Sequence, residues 1–226
     1  MRVLPLLTGD APLRRVLAIG AHSDDLEIGC GGTMLALTQA CPGISVHWVV
    51  LAAPGERGAE ARASADAMLA DAAETVVEVH AFRDGYLPHE SAAVKDTFEG
   101  LKSQMTPDLV LTHAREDLHQ DHRLVCELTW NTFRDHLILE YEIPKWDGDL
   151  GRPNVYVPLG ERQVERKLAL LADQFSSQRG KDWYDDDVFR GLMRVRGMEC
   201  RSPSGFAEAF TGRKLTLGLE PSAQAS

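Results

Sequence analysis

The chain has 226 residues, of which 44% are hydrophobic, and this is enough for one domain with a sizeable core. Its 34 acidic residues outnumber the 24 basic ones, giving a formal net charge of -10. Such an excess of negative charge repels phosphate groups, so the composition argues against a nucleic-acid-binding protein. The four cysteines form no C-x-x-C pair, and no apolar run is long enough to span a membrane. We therefore expect a cytoplasmic protein with reduced thiols.

Short apolar runs alternate along the chain with stretches of helical periodicity, which predicts alternating strands and helices. The predicted strands cover about 15–21, 44–52, 76–82, 109–112 and 137–143. The predicted helices cover 33–40, 59–73, 90–105 and 122–133. This alternation, with its short connections, predicts an α/β fold with a Rossmann-like, doubly wound, mostly parallel sheet and helices on both faces.

The pattern changes after Pro144. A short strand at 155–157, helices at 161–177 and 182–196, and a last strand at 206–210 are expected there. We interpret these segments as C-terminal αβ elements of one domain that covers residues 1–219. Residues 220–226 are small and polar, and we expect a disordered tail.

Two polar motifs each follow a predicted strand. His22-Ser23-Asp24-Asp25 follows the first strand, and His119-Gln120-Asp121-His122 follows the strand at 109–112. Ligand sites of open parallel sheets lie at the carboxyl ends of the strands, so both motifs belong at one edge of the sheet. A polar loop with a helix N-cap is the alternative interpretation of the first motif alone.

The two motifs together offer the ligands of a catalytic metal site. His22, one of Asp24 and Asp25, and one of His119 and His122 would supply two nitrogens and one oxygen, leaving a position for water. These ligand types suit Zn²⁺ or Fe²⁺ better than Ca²⁺ or Mg²⁺, which prefer oxygen. The surplus carboxylate and imidazole would serve as base and as acid or oxyanion donor. We therefore predict metal-assisted hydrolysis of an acyl bond.

The same residues resemble the LmbE/PIG-L-like zinc-dependent N-acetylglucosaminyl deacetylases. The first family motif, A-H-P-D-D before a glutamate and glycines, matches residues 21–33, with Ser23 in place of the commoner proline. The second motif matches residues 119–122. A helix ending in S-Q matches 167–178, and an A-E-A-F element matches 207–210, so the resemblance covers most of the chain.

The resemblance implies a Rossmann-like fold and zinc-dependent removal of an acetyl group from an N-acetylated amino sugar. By position, His22, Asp25 and His122 are similar to the metal ligands. Asp24 matches the general base, and His119 matches the imidazolium that stabilises the oxyanion or protonates the amine. Asp121 matches a carboxylate that orients a histidine.

The substrate-binding residues are carried over with less sequence support. Arg62 is the best match to an arginine early in the second helix, and Asp84 lies where relatives place a sugar-binding acid. Some relatives have a tyrosine at the position of Asp117, so a tyrosine role there does not transfer to this chain.

Several alternatives stay open at this stage. The enzyme could act on another N-acyl conjugate, such as a thiol conjugate or an antibiotic sugar, or the chain could be a non-catalytic sugar- or nucleotide-binding module. The glycines at 29, 31 and 32 lack the spacing of a dinucleotide loop, and we expect a tight turn with a helix packed close behind it. The oligomeric state is open, with a homo-oligomer as one alternative.

Overall fold

The computed structural model of the protein describes Leu6 and residues 13–216. The strands are β1 Arg15–His22, β2 Ser45–Ala52, β3 Glu74–Val79, β4 Leu109–His113, β5 Leu137–Tyr141, β6 Val155–Leu159 and β7 Phe206–Thr211. The α-helices are α1 Asp25–Ala40, α2 Glu56–Met68, α3 Ser91–Gln104, α4 Gln120–Thr132, α5 Glu161–Gln174 and α6 Asp186–Cys200. Short 3₁₀ helices cover Leu87–Glu90 and Ser176–Gln178. The predicted tail at 220–226 lies outside the described residues.

One seven-stranded sheet has the order β3-β2-β1-β4-β5-β7-β6. The first five strands of that order are mutually parallel, whereas β7 runs antiparallel to both β5 and β6. The strand order reverses between β1 and β4, and such a switch point leaves a crevice at the carboxyl ends of the two strands. The predicted α/β class and the mostly parallel sheet are confirmed, and the expected C-terminal elements complete the sheet.

Helices cover both faces of the sheet. One face packs α1, α2, α5 and α6 over strand residues such as Val16 and Ala18. The other face packs α3 and α4 over Leu17 and Ile19, the alternate residues of the same strand. Because successive side chains of a strand point to opposite faces, an uninterrupted apolar strand is the pattern of a sheet buried on both sides. None of the helices in residues 13–216 has the length and apolarity needed to cross a bilayer.

The first helix differs from its prediction. It begins at Asp25 rather than near residue 33, and the three glycines expected to form a turn lie inside it. A Cβ atom on Gly29 would lie 2.2 Å from Cδ2 of Tyr141, and one on Gly32 would lie 2.5 Å from Cδ1 of Leu159. The close packing that we expected is therefore present, but the glycines provide it as part of the helix. Tertiary contact outweighs the low helix propensity of glycine here.

A buried ion pair holds α1 against the C-terminal elements. Nζ of Lys167 lies 2.7 Å from Oε1 of Glu208 and also donates to the carbonyl of Ile28 at 2.6 Å. The Glu208 carboxylate accepts the backbone N–H groups of Gly32 and Thr33 at 2.8 and 2.6 Å. These contacts fix the helix that begins with Asp25, and so they fix the first polar motif against the sheet.

Candidate metal centre

The structure brings the two polar motifs together at the switch point. Nδ1 of His22 lies 3.1 Å from Nε2 of His122 and 3.3 Å from Oδ2 of Asp25, and the distance from His122 Nε2 to that oxygen is 3.5 Å. All three side chains are buried. The sequence separation of about a hundred residues is closed because β1 and β4 are neighbours in the sheet.

These distances fit a tetrahedral metal ion. Nitrogen and oxygen ligands at about 2.0–2.1 Å from such an ion lie about 3.3 Å from one another. The described residues contain three further combinations of potential ligands whose atoms lie within 4.8 Å, and these are His22, His119 and His122; Asp25, His113 and His122; and His22, Asp84 and Asp121. The residues present therefore suit a divalent cation held by imidazole and carboxylate.

Two carboxylates orient the imidazoles. Oδ2 of Asp117 lies 2.9 Å from Nδ1 of His122, which places the proton of that ring on Nδ1 and turns Nε2 toward the cluster. Asp121 lies 3.1 Å from Nε2 of His22 and is itself held by the backbone N–H groups of Gly85 and Leu87. The predicted orienting role of Asp121 has this contact in its support, whereas the role of Asp117 was missed.

The buried carboxylate of Asp24 lies beside this cluster. Its Oδ1 accepts Nη2 of Arg57 at 3.0 Å, while its buried Oδ2 has no hydrogen-bond partner among the described residues. Burial, together with the neighbouring Asp25, raises the pKa of Asp24 to about 6. A buried carboxylate oxygen without a partner is costly in the resting protein, so this atom is suited to meet a water molecule or substrate.

The charges of the cluster shift the pKa values of its other members. Burial lowers the pKa of His22, but nearby carboxylates, Asp25 among them, outweigh burial and hold that pKa well above its usual range. Burial raises the pKa of Asp25, but three nearby imidazoles outweigh it and hold that pKa well below its usual range. Burial and the neighbouring His113 lower the pKa of His122 to about 4. The lowered pKa of His122 favours the neutral imidazole that binds metal ions, and a bound cation would compete with the proton that Asp25 favours on His22.

His119 is the N-cap residue of α4. Its Nδ1 accepts the backbone N–H of Asp121 at 3.3 Å, so the proton of the neutral ring is on Nε2. Burial and the proximity of His22 lower the pKa of His119. The imidazolium role that the resemblance implies for His119 stays a prediction.

Of the two predicted substrate residues, only Asp84 lies at the cluster. Asp84 lies at the cluster, 3.2 Å from Nε2 of His22, with its side chain about half exposed. The guanidinium of Arg62 instead donates at 3.3 Å to the carbonyls of Val77 and Val79 in β3, so the structure does not bring it to the cluster. Arg57 is the arginine that reaches the motif, through Ser23 and Asp24.

Three further residues, two of them buried, lie near the cluster. His113 ends β4, accepts the N–H of Ala21 at 2.9 Å and stacks on His122 with ring centroids 3.9 Å apart. Glu27, in the first motif, has both oxygens unpartnered within the described residues, and burial raises its pKa to about 8. Lys145 lies 3.0 Å from Asp117. His113 ends the strand that precedes the second motif and Glu27 is the glutamate of the first family motif, so both had a sequence signal, whereas Lys145 had none.

A Rossmann-like sheet that gathers imidazoles and carboxylates at its switch point defines an α/β protein with a candidate metal centre. The model of the PIG-L family, described as GlcNAc-PI de-N-acetylase, matches residues 17–133. A protein of Escherichia coli (strain K12) called uncharacterized deacetylase YaiS is 30% identical over 181 residues, which are 74% of this chain and 93% of that protein. The chain therefore belongs to the PIG-L family of deacetylases.

Solved structures share the fold at lower identity. N,N'-diacetylchitobiose deacetylase from Pyrococcus horikoshii has a TM-score of 0.64 at 20% identity, over 88% of this chain and 83% of that one. The 4-carboxy-2-hydroxymuconate hydratase GalB from Pseudomonas putida KT2440 has a TM-score of 0.73 at 15% identity, over 92% of this chain and 100% of that one. Proteins with this fold therefore catalyse more than one reaction, and the reaction depends on the side chains of the site.

Proposed function

We propose that this protein is a metal-dependent hydrolase that removes the acetyl group from an N-acetylated amino sugar. His22, Asp25 and His122 would hold the ion, with Asp121 and Asp117 orienting the two imidazoles. A bound Zn²⁺, or Fe²⁺ with the same ligand types, would lower the pKa of a water molecule to about 7 and polarise the acetyl carbonyl. The mutual spacing of these three side chains, 3.1–3.5 Å, carries the proposal.

Asp24 would act as the general base. Its free Oδ2 is available to take a proton from the attacking water, while Arg57 holds the other oxygen in place. The same carboxyl group can then pass that proton to the departing amine, so that one amide and one water become acetate and an amine. Neutral His119 would donate its Nε2 proton in a hydrogen bond to the developing oxyanion.

The exposed side of the site has a carboxylate that suits a polyhydroxylated substrate. The half-exposed Asp84 carboxylate lies between His22 and Arg57, at 3.2 and 3.5 Å, where it can accept hydrogen bonds from sugar hydroxyls. The family description and the chitobiose deacetylase both concern N-acetylglucosamine units. An amidase for another N-acyl conjugate is the alternative, because the catalytic groups recognise the amide rather than the sugar.

The test measures bound metal and released acetate for purified variants. We expect Asp24→Asn to retain the metal and to lose activity by a factor of about 10²–10⁴, the usual contribution of a general base. His22→Ala should lose the metal as well, whereas His89→Ala, a histidine outside the cluster, should match the wild type. Undiminished acetate release by Asp24→Asn would refute the assigned base. A panel of N-acetyl sugars and other N-acyl amides separates the two substrate classes.

A further inference from the structure

Exposed apolar side chains gather at the carboxyl edge of the sheet. Leu118 is 58% exposed, Trp146 is 71% exposed and Leu150 is 46% exposed. They come from the loops after β4 and β5, the same edge that carries the candidate metal centre. We call these three residues the apolar rim. Exposed apolar side chains at the same edge as a candidate site can form part of a binding surface.

Each residue of the apolar rim is the chain neighbour of a residue in one ion cluster. Leu118 follows Asp117, Trp146 follows Lys145, and Leu150 follows Asp149. Nζ of Lys145 contacts both aspartates, lying 3.0 Å from Oδ1 of Asp117. Asp149 in turn accepts the backbone N–H of Leu118 at 2.7 Å. The cluster therefore holds the two loops together as one unit.

The same ion cluster touches the metal centre. Oδ1 of Asp117 contacts Lys145, while its Oδ2 lies 2.9 Å from Nδ1 of His122. The apolar rim is thus separated from a candidate metal ligand by one carboxylate. The apolar rim and the candidate metal centre therefore lie at the same edge of the sheet and are linked through Asp117.

Three polar groups beside the apolar rim, those of Trp146, Lys145 and Asp149, are paired within the protein. Nε1 of Trp146 donates to Asp182 at 2.9 Å, and its ring meets Trp183 edge-on with centroids 6.2 Å apart. Lys145 and Asp149 are paired with each other. Hydroxyls of a second sugar placed here would lose water without gaining these partners, and such desolvation weakens binding. An apolar substituent has no such cost.

We propose that the apolar rim binds an apolar substituent, aliphatic or aromatic, carried by the amino sugar that the enzyme deacetylates. This inference rests on the proposed function and specifies its substrate class. It predicts that hexyl and phenyl glycosides of N-acetylglucosamine are better substrates than the methyl glycoside or N,N'-diacetylchitobiose. We expect at least about a tenfold higher kcat/KM, since single methylene groups in apolar pockets change specificity by comparable factors.

The experiment compares amine release from these four substrates by the wild type, Trp146→Ala and Leu118→Ser. Met198→Ala is the matched control, because Met198 is an equally exposed apolar residue, at 66%, on α6. Trp146→Ala and Leu118→Ser should each bring the hexyl-to-methyl ratio of kcat/KM down toward one, and the control should keep the wild-type ratio. A wild-type ratio near one, or a preference for diacetylchitobiose, would overturn the proposal, as would an unchanged ratio in both rim variants.

A binding measurement separates this proposal from the proposed function. Hexyl and methyl glucosaminides carry no acetyl group, so calorimetry on them reports affinity without hydrolysis. We expect the hexyl compound to bind the wild type and Met198→Ala about tenfold more tightly than the methyl compound, with the difference lost in Trp146→Ala. If the protein cleaves none of the amides, the proposed function is wrong. If the two glucosaminides bind with equal affinity, the apolar rim does not bind the apolar substituent.

Discussion

Replacing Asp117 with asparagine tests how the structure prepares His122 for a metal. Oδ2 of Asp117 accepts from Nδ1 of His122, and Oδ1 accepts the backbone N–H of His119 at 2.8 Å and contacts Lys145. If the asparagine oxygen faces His122, its NH₂ group meets the N–H of His119 and the ammonium of Lys145, which are donors. If it faces those donors, its NH₂ group meets Nδ1 of His122. Neither orientation satisfies the site, and both remove the negative charge that orients the imidazole and raises its basicity.

The expected loss for Asp117→Asn is a factor of about 10–100 in Zn²⁺ affinity, the usual effect of removing a carboxylate that orients a histidine ligand. This corresponds to about 1.4–2.7 kcal/mol. Competition with a chromophoric chelator at fixed pH measures it. Asp149→Asn is the matched control, because Asp149 shares the contact with Lys145 but not the one with His122. Equal losses of Zn²⁺ affinity in both variants would show that the contact with Lys145, rather than the orientation of His122, accounts for the loss.

Two predictions concern stability and are measured by urea denaturation. Gly29→Ala should cost about 1–3 kcal/mol because its Cβ would meet Tyr141, whereas Gly100→Ala, which has open space in α3, should stabilise by about 0.5–1 kcal/mol. Equal effects would disprove the close-packing argument. Although burial opposes it, hydrogen bonds from Ser177 lower the pKa of Glu60 below 4.5, so its stabilising effect is present above pH 4.5 and is lost as the pH falls through the lowered value. Glu60→Gln should therefore be about 1–2 kcal/mol less stable at pH 7, with the gap closing as the pH falls through the lowered pKa of Glu60, and a gap independent of pH would contradict this.

Local sequence signals were sufficient for the elements that carry the two motifs. The apolar run before His22 and the one before residue 113 are strands, and the motifs follow them at the sheet edge as predicted. Chain order and the rule for parallel sheets were enough to place both motifs at one edge. The pairwise distances among the candidate ligands depend on β1 and β4 being neighbours, which no local signal specifies.

Helix geometry explains why Arg57, rather than the predicted Arg62, contacts the first motif. Both arginines lie on α2, five residues apart, and five steps of about 100° turn a side chain by about 140° relative to the first. Arg57 therefore faces the first motif, whereas Arg62 faces the edge strand β3. The sequence indicated an arginine on this helix, but the helix start and its rotation decide which one reaches the site.

The sequence by itself determined the order of strands and helices, the buried character of the sheet and the two motifs, because these depend on neighbouring residues. Only the tertiary structure decided that the glycines belong to α1, that Asp117 orients His122 and that β7 lies between β5 and β6. Each of these depends on contacts between segments far apart in the chain. Such contacts are set by how the elements pack, which local propensity does not encode.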